Sequence, residues 1–137
     1  MKKELLKEIY NKYNLDQDDI FALKFGGVDK PIITRAGIEK IQAQLNIQVN
    51  FKIEKISDDF KNVVVLANAA IMRDNPEQKG QQIPYKIAQT FGEVSPSNNK
   101  SNYPIAMAEK RALGRAVIKL ANLYGVYTED DSEDFKK

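Results

Sequence analysis

The sequence predicts an α+β fold: a curved antiparallel β-sheet of about three to five strands, packed with a long C-terminal helix and one or two shorter helices. Three observations predict it. Apolar side chains recur with helical spacing from Asn102 to Gly125. Residues 47–56 alternate strictly between apolar and polar side chains, and residues 62–72 are nearly all apolar. The chain has 137 residues, so we expect a single domain over residues 1–128 with its own core.

The N-terminal third is predicted to hold two short helices and a hairpin. Apolar residues at helical spacing (Leu5, Leu6, Ile9 and Tyr13) predict a helix within residues 1–14. Residues 20–25 have strand character, residues 26–31 read as a turn, and a short strand returns at residues 31–33. Thr34 is predicted to be the N-cap of a second helix over residues 35–45, which Asn46 ends.

The middle of the chain is predicted to form antiparallel strands. Residues 47–56 should bury one face and expose the other, because their side chains alternate. A turn at Asp58–Asp59 leads to residues 62–72, whose apolar run is typical of a central strand. A third strand is expected over residues 83–91, before a polar linker at residues 92–101. Antiparallel strands between helices place the helices mainly on one face of the sheet.

The long helix is predicted to carry a line of cations. Asn102 is its expected N-cap, Pro104 fits its first turn, and Gly125 is the expected C′ residue, where a left-handed conformation ends the helix. Three cations lie at i, i+4 and i+8 on the side away from the apolar residues, with a fourth at the flank. They are Arg111, Arg115 and Lys119, with Lys110 at the flank.

This cationic line allows two interpretations. It is either a solvated helix face or a surface that binds phosphate. Glu109 is the nearest acid and lies on the apolar side, so the three cations lack i,i+4 acidic partners. Two of the three are arginines, whose planar fork suits phosphate.

The composition excludes several kinds of chemistry. The chain has no Cys and no His, so disulfides and thiolate zinc sites are excluded and the usual general base is missing. The sequence has no phosphate-binding glycine loop, and Gly26–Gly27 reads as a hairpin turn. We therefore expect no enzymatic activity, no cofactor and no metal. No apolar run reaches the length of a membrane span and the N-terminus is amphipathic, so a cytoplasmic protein is expected.

Charge divides the chain into a basic body and an acidic tail. The net charge is +2, but residues 129–137 hold five of the nineteen acidic and two of the twenty-one basic residues. The remaining body therefore carries a net charge of +5. A basic body predicts an anionic partner, and the tail is expected to be disordered. Phe135 behind the acids is similar to the acidic, aromatic-ended tails of bacterial single-strand binding proteins, which dock partners.

Cations and aromatic residues together form the predicted binding surface. Cations follow phosphates and rings stack on bases, so this combination predicts binding of single-stranded nucleic acid. For Tyr85 and Tyr103, core packing remains open as an alternative. The candidate residues are Lys110, Arg111, Arg115 and Lys119 on the helix, Lys86 and Arg73 in or beside the sheet, Lys100 in the linker, and the aromatics Tyr85 and Tyr103.

Two blocks resemble a known family. GEVSP, a polar spacer and YPIAMAEKRALGRAVIKLANLYGVYTED resemble the C-terminal part of phage- and plasmid-type single-strand DNA annealing proteins of the Rad-fifty-two-like superfamily. Residues 110–113 resemble its helical Lys-Arg-Ala-Leu, whose Lys-Arg pair lines a DNA groove. Residues 33–38, followed by a strand pair, resemble its N-terminal half. The resemblance covers about residues 20–128 and carries over only Lys110 and Arg111 by motif.

The resemblance implies a curved sheet crossed by a long helix, assembly into rings or filaments, and annealing of complementary strands without ATP. Such a protein would act in homologous recombination or in phage or plasmid DNA repair. Its expected partners are single-stranded DNA and further copies of the chain, with a single-strand binding protein or an exonuclease as further candidates. The acidic tail would either solubilise the protein or compete with DNA for the basic helix. Two alternatives stay open: a binding module without annealing activity, and a protein-interaction module with a basic docking helix.

Overall fold

The structure is a computed structural model that describes residues 3–136, except for the side chains at positions 3–5, 25 and 133–136. The α+β class is confirmed. Two 3-10 segments, Gln17–Asp19 and Glu129–Lys136, accompany the main elements. The helices and strands are, in chain order, α1 (Lys3–Tyr13), β1 (Ile20–Phe25), β2 (Val28–Ile33), α2 (Arg35–Leu45), β3 (Ile47–Ile56), β4 (Val63–Asp74), β5 (Gln82–Val94), α3 (Pro104–Leu120) and β6 (Tyr127–Thr128).

The strands form two three-stranded sheets. The larger sheet has the order β3-β4-β5 and is antiparallel throughout. The smaller sheet has the order β1-β2-β6, in which β1 is antiparallel and β6 parallel to β2. The central place of β4 agrees with its predicted role. α3 packs on β4 and β5 and so covers one face of the larger sheet.

Burial along β4 shows which face α3 covers. Every second residue of the strand is buried, whereas those between are half-buried or exposed. We call the side beneath α3 the covered face and the opposite side the open face. The buried residues are Val63, Val65, Ala67, Ala69 and Ile71. β3 departs from the prediction of one buried face: Phe51 and Ile53 share the covered side but are 40% and 48% exposed, because α3 lies over β4 and β5.

The predicted helix caps are partly confirmed. The Thr34 hydroxyl accepts a 3.2 Å hydrogen bond from the first turn of α2, and Asn46 ends that helix in the left-handed conformation. At the start of α3 the predicted N-cap, Asn102, is wrong. Tyr103 occupies that position without a side-chain cap, and Pro104 is the first helical residue, as expected.

α3 ends before the predicted Gly125. Asn122 adopts the left-handed conformation instead, with φ of 57°. Leu123 N donates to Ile118 O at 3.0 Å, and Asn122 N donates to Lys119 O at 3.3 Å. This pair of bonds is a Schellman motif, in which asparagine sometimes takes the place of the more usual glycine. The helix therefore stops early enough for the following residues to turn back along it towards β6.

α1 lies where the sequence predicted it and packs on the body of the same chain. Ile9 and Tyr13 are buried in the main core, and Leu6 packs against it. Leu5, which belongs to the predicted apolar face, has its side chain outside the described residues. At least part of that apolar face is therefore buried against the same chain.

A buried carboxylate beside α2 makes stability depend on pH. Asp19 is 4% exposed and receives bonds from Lys40 Nζ at 2.6 Å and Asp16 N at 2.7 Å. Burial raises the pKa of Asp19, but these two partners outweigh burial and hold it below its usual value. A carboxyl with a lowered pKa stabilises the fold above its unfolded-state pKa of about 4, and that stability is lost as pH falls through the folded-state pKa.

We therefore expect Asp19→Asn to lower stability at neutral pH and to flatten the loss of stability on acidification below about pH 4. Urea denaturation at a series of pH values measures both effects. Asp18→Asn is the control, because Asp18 is an exposed neighbour in the same segment. A wild-type pH dependence in Asp19→Asn would contradict the assignment.

Candidate nucleic-acid interface

The first cation of the helical line is buried. Arg111 is 2% exposed, so the prediction that it lies on an outward face is wrong. Its guanidinium donates to the carbonyl oxygens of Glu93 at 2.9 Å, Asn98 at 2.7 Å and Asp130 at 3.1 Å. It also donates to the Asn98 side chain at 3.1 Å. The end of β5, the linker and the C-terminal segment thus close over Arg111, which has enough N–H groups to serve all three.

The second cation is neutralised within the protein. Arg115 is half-buried and pairs with Glu93 at 2.9 Å and with both oxygens of Asp131 at 2.8 and 3.1 Å. It also donates to Phe91 O at 2.7 Å. Burial disfavours its charge, but the two carboxylates outweigh burial and raise the pKa of Arg115 above its usual value. Its acidic partners therefore exist, although they lie far along the chain.

The line of cations follows the outer edge of β5. The carbonyl oxygens of Glu93 and Phe91, two residues apart in β5, accept hydrogen bonds from Arg111 and Arg115 respectively. The two arginines are four residues apart in α3. Because four helical residues rise about 6 Å and two strand residues advance about 6.6 Å, each arginine lies beside its own carbonyl group. The arginines satisfy backbone groups that an edge strand leaves unpaired.

Lys119 is the third cation of the line and is exposed. It lies beside the next part of the β5 edge, where Ile87, Gln89 and Lys119 line one cavity. Among the described residues no hydrogen bond or ion pair holds the Lys119 ammonium group. Of the three cations in the line, Lys119 therefore remains available to an external anion.

Three further predicted residues lie near the C-terminal end of α3 or in β4 and β5. Lys86 Nζ donates to Leu120 O at 3.2 Å and Asn122 Oδ1 at 3.0 Å, so it caps the helix. Arg73 stacks on the Tyr85 ring, with its guanidinium carbon 3.3 Å from the ring centre. Arg73 and Tyr85 are both exposed, so Tyr85 is not a core residue.

The other three predicted residues lie at or toward the opposite end of α3. Tyr103 is 73% exposed at the start of the helix, and Lys100 is exposed in the linker. Lys110 is half-buried near Asp130, where it opposes the rise that burial causes in the pKa of that carboxyl. Tyr103 and Lys119 are separated by about 24 Å along the helix. The predicted residues therefore do not form one continuous patch.

The start of the acidic segment packs against the body, which differs from the expected disordered tail. Thr128 and Ser132 are both 2% exposed. The Thr128 hydroxyl accepts a bond from Asp131 N and donates to its carboxylate, both at 3.2 Å. Asp131 thereby points at Arg115. Glu133, Asp134 and Phe135 have side chains outside the described residues.

Sequence reasoning missed the open face of the larger sheet. Cross-strand pairing places nine side chains in three rows on it, without a carboxylate. The rows are Lys52–Leu66–Phe91, Asn50–Asn68–Gln89 and Gln48–Ala70–Ile87. We call these nine residues the three-row surface. Phe91 is 52% and Ile87 74% exposed. Two carboxylates border the surface: Glu93, in the adjoining row, is paired with Arg115, and Glu54 is paired with Lys52 at 3.6 Å.

A cavity of about 700 Å³ opens on this surface. Its lining includes the amides of Gln48, Asn50, Asn68 and Gln89, and its charged residue is Lys119. The Gln89 amide donates to Asn68 Oδ1 at 2.7 Å, so neighbouring strands share part of the amide row. The arrangement can offer hydrogen bonds, apolar contacts and one positive charge to an anionic ligand.

Comparisons of the chain with protein-family models, curated proteins and solved structures find no match. Within residues 3–136, no helix is both long and apolar enough to cross a membrane. The described residues also contain no group of three or more Asp or Glu side chains placed to hold a metal ion. The function must therefore be argued from the chemistry of the surface itself.

Proposed function

We propose that this protein binds single-stranded DNA on its open face and anneals complementary strands as a homo-oligomer, without nucleotide hydrolysis. One observation carries the proposal. Lys119, which no group of the described chain neutralises, lies at the margin of a cavity without acidic residues. Single-stranded nucleic acid needs positive charge beside a surface on which bases can stack, and the Phe91 ring is 52% exposed on the same face.

The chemistry of annealing follows from the shape of this surface. Lys119 at its border neutralises a phosphate and releases counterions. Lys52 at the opposite border pairs with Glu54 at 3.6 Å and can exchange that exposed carboxylate for a phosphate. Because no element within residues 3–136 covers the open face, a strand lying there keeps the side turned away from the sheet accessible to a complementary strand. Pairing of the two strands supplies the driving force, so ATP is not required. Many weak sites in an oligomer would hold the strand by avidity.

Assembly is supported by apolar side chains that one chain leaves uncovered. Phe51 and Ile53 lie exposed on the covered side of β3, beyond the edge of α3. A second copy of the chain would remove them from water. Light scattering with and without an oligonucleotide tests this part. A strictly monomeric protein under both conditions would leave simple binding without annealing as the better description.

The phosphate contact is tested by Lys119→Ala. We expect the slope of log affinity against log salt to fall by about 0.7, and affinity at 0.1 M salt to fall about five-fold. Alanine preserves the helix. Fluorescence anisotropy of a labelled oligothymidylate measures both quantities. Lys24→Ala, an exposed lysine in the smaller sheet, is the control.

Different results separate the possible functions. Annealing of complementary oligonucleotides without ATP, faster than in buffer, supports the full proposal. Binding without annealing supports a simple single-strand binding module. If salt-sensitive binding to oligonucleotides is absent altogether, the proposal fails and a protein-interaction module becomes the better interpretation.

A further inference from the structure

We propose that the three-row surface contacts bases, with the Phe91 ring as a stacking platform and the amide row of Asn50, Asn68 and Gln89 meeting base edges. This inference rests on the proposed function and specifies which part of the ligand the site recognises. A cationic helix alone would contact phosphates only. The sheet adds a second, uncharged mode of binding.

Phe91 is placed to act as a platform. Its ring is 52% exposed on the open face, in the same row as Leu66. Its backbone is fixed from the opposite direction, because Arg115 donates to Phe91 O at 2.7 Å and the neighbouring Thr90 hydroxyl donates to Ala112 O at 2.6 Å. The ring is therefore held on a strand that α3 anchors, and stacking does not require the strand to be ordered first.

The dimensions of the surface fit a few bases. Rows on one face are about 6.6 Å apart and neighbouring strands about 4.8 Å apart. Three rows across three strands therefore span roughly 13 Å by 10 Å. Sheets that bind RNA through aromatic residues stack about two or three bases.

The amide row favours a nucleic acid over a protein partner. Each amide offers both donors and acceptors, and within the row Gln89 donates to Asn68 Oδ1. Base edges also carry both kinds of group, so they can meet the row in several orientations. A protein covering the surface would have to remove these amides from water, which is costly unless each finds a partner. The absence of a carboxylate from the three rows suits a polyanion.

An oligonucleotide with abasic sites tests base contact on the unmodified protein. We expect the normal oligothymidylate to bind about 5- to 100-fold more tightly than one in which abasic sugars replace the central nucleotides, as loss of base stacking predicts. Equal binding of the two would overturn this inference but leave the proposed function standing. Failure of both to bind would overturn the two proposals together.

Phe91→Ala then locates the contact. We expect it to lose most of the preference for the normal oligonucleotide and to keep the wild-type salt slope, because the ring carries no charge. Phe60→Ala is the control, since Phe60 is a similarly exposed phenylalanine (57%) in the turn between β3 and β4, outside the three-row surface. A preference that survives in Phe91→Ala, or disappears equally in Phe60→Ala, would overturn the assignment to the open face.

Discussion

Replacing Arg111 with methionine is expected to lower the free energy of unfolding by about 1.5–3 kcal/mol or more, the contribution of a hydrogen bond to a charged group. Methionine retains much of the apolar stem but donates no hydrogen bond. The carbonyl groups of Glu93, Asn98 and Asp130, which are partly buried, would then lose this donor. The linker and the C-terminal segment would both lose a tie to α3.

Urea denaturation followed by circular dichroism measures this loss. Arg73→Met is the matched control, because Arg73 is exposed and its stacking on Tyr85 contributes about 0.5–1 kcal/mol. If Arg111 instead faced phosphate, Arg111→Met would reduce DNA affinity while leaving stability near that of the control. That outcome would contradict the buried position.

Local signals in the sequence were sufficient for many boundaries. Thr34 and Asn46 mark the two ends of α2 because capping chemistry acts over a few neighbouring residues. Strict alternation located β3, and the apolar run located β4 as the central strand. These features depend on the nearest residues and are readable without knowing the fold.

The hydrogen-bond partners of the cationic line could not be predicted from such local signals. Helical periodicity assigns Arg111 and Arg115 to one side of the helix, but not what covers that side. Their acceptors come from the end of β5, the linker and residues near Asp131, all distant in sequence from the arginines. A search for acidic partners at i,i+4 on the same helix does not detect such contacts.

The sequence did not predict the open face, for two physical reasons. The apolar run of β4 predicted a central strand but not which of its faces is covered; α3 covers only one and leaves Leu66 and Ala70 half-buried on the other. In addition, the β4–β5 register shifts near Tyr85, where Met72 pairs with Pro84 after Ile71 pairs with Lys86. Which β5 residues share a face with β4 therefore depends on an irregularity that the sequence pattern does not reveal.

Gly92→Ala is expected to lower the free energy of unfolding by about 3 kcal/mol, the upper part of the usual range for overpacking. Gly92 lies opposite Val65 on the covered face, where β5 passes directly beneath α3. A Cβ atom there would overlap the Ala108 carbonyl oxygen and lie 2.6 Å from Ala112 N. Both atoms belong to the helix backbone, so no rotation of a side chain relieves the overlap.

Two other glycines separate this effect from general glycine replacement. Gly80→Ala meets no atom within 4 Å but has φ of 84°, so it should cost only the roughly 1–2 kcal/mol of a left-handed backbone. Gly114→Ala would place its Cβ 2.6 Å from the Thr128 methyl carbon, which is a side-chain atom. Adding Thr128→Ser removes that methyl and retains the hydroxyl that bonds Asp131, so stability should partly return.

No such rescue exists for Gly92, because relief would require α3 to move away from β5. That movement would also lengthen the bonds from Arg115 to Phe91 O and from Thr90 to Ala112 O. We therefore expect Gly92→Ala to weaken oligonucleotide binding as well, by loosening the strand that carries Phe91. Thermal denaturation and anisotropy on the same samples would measure the two effects. A variant as stable as the Gly80→Ala control would show that helix and strand are less closely packed than the structure places them.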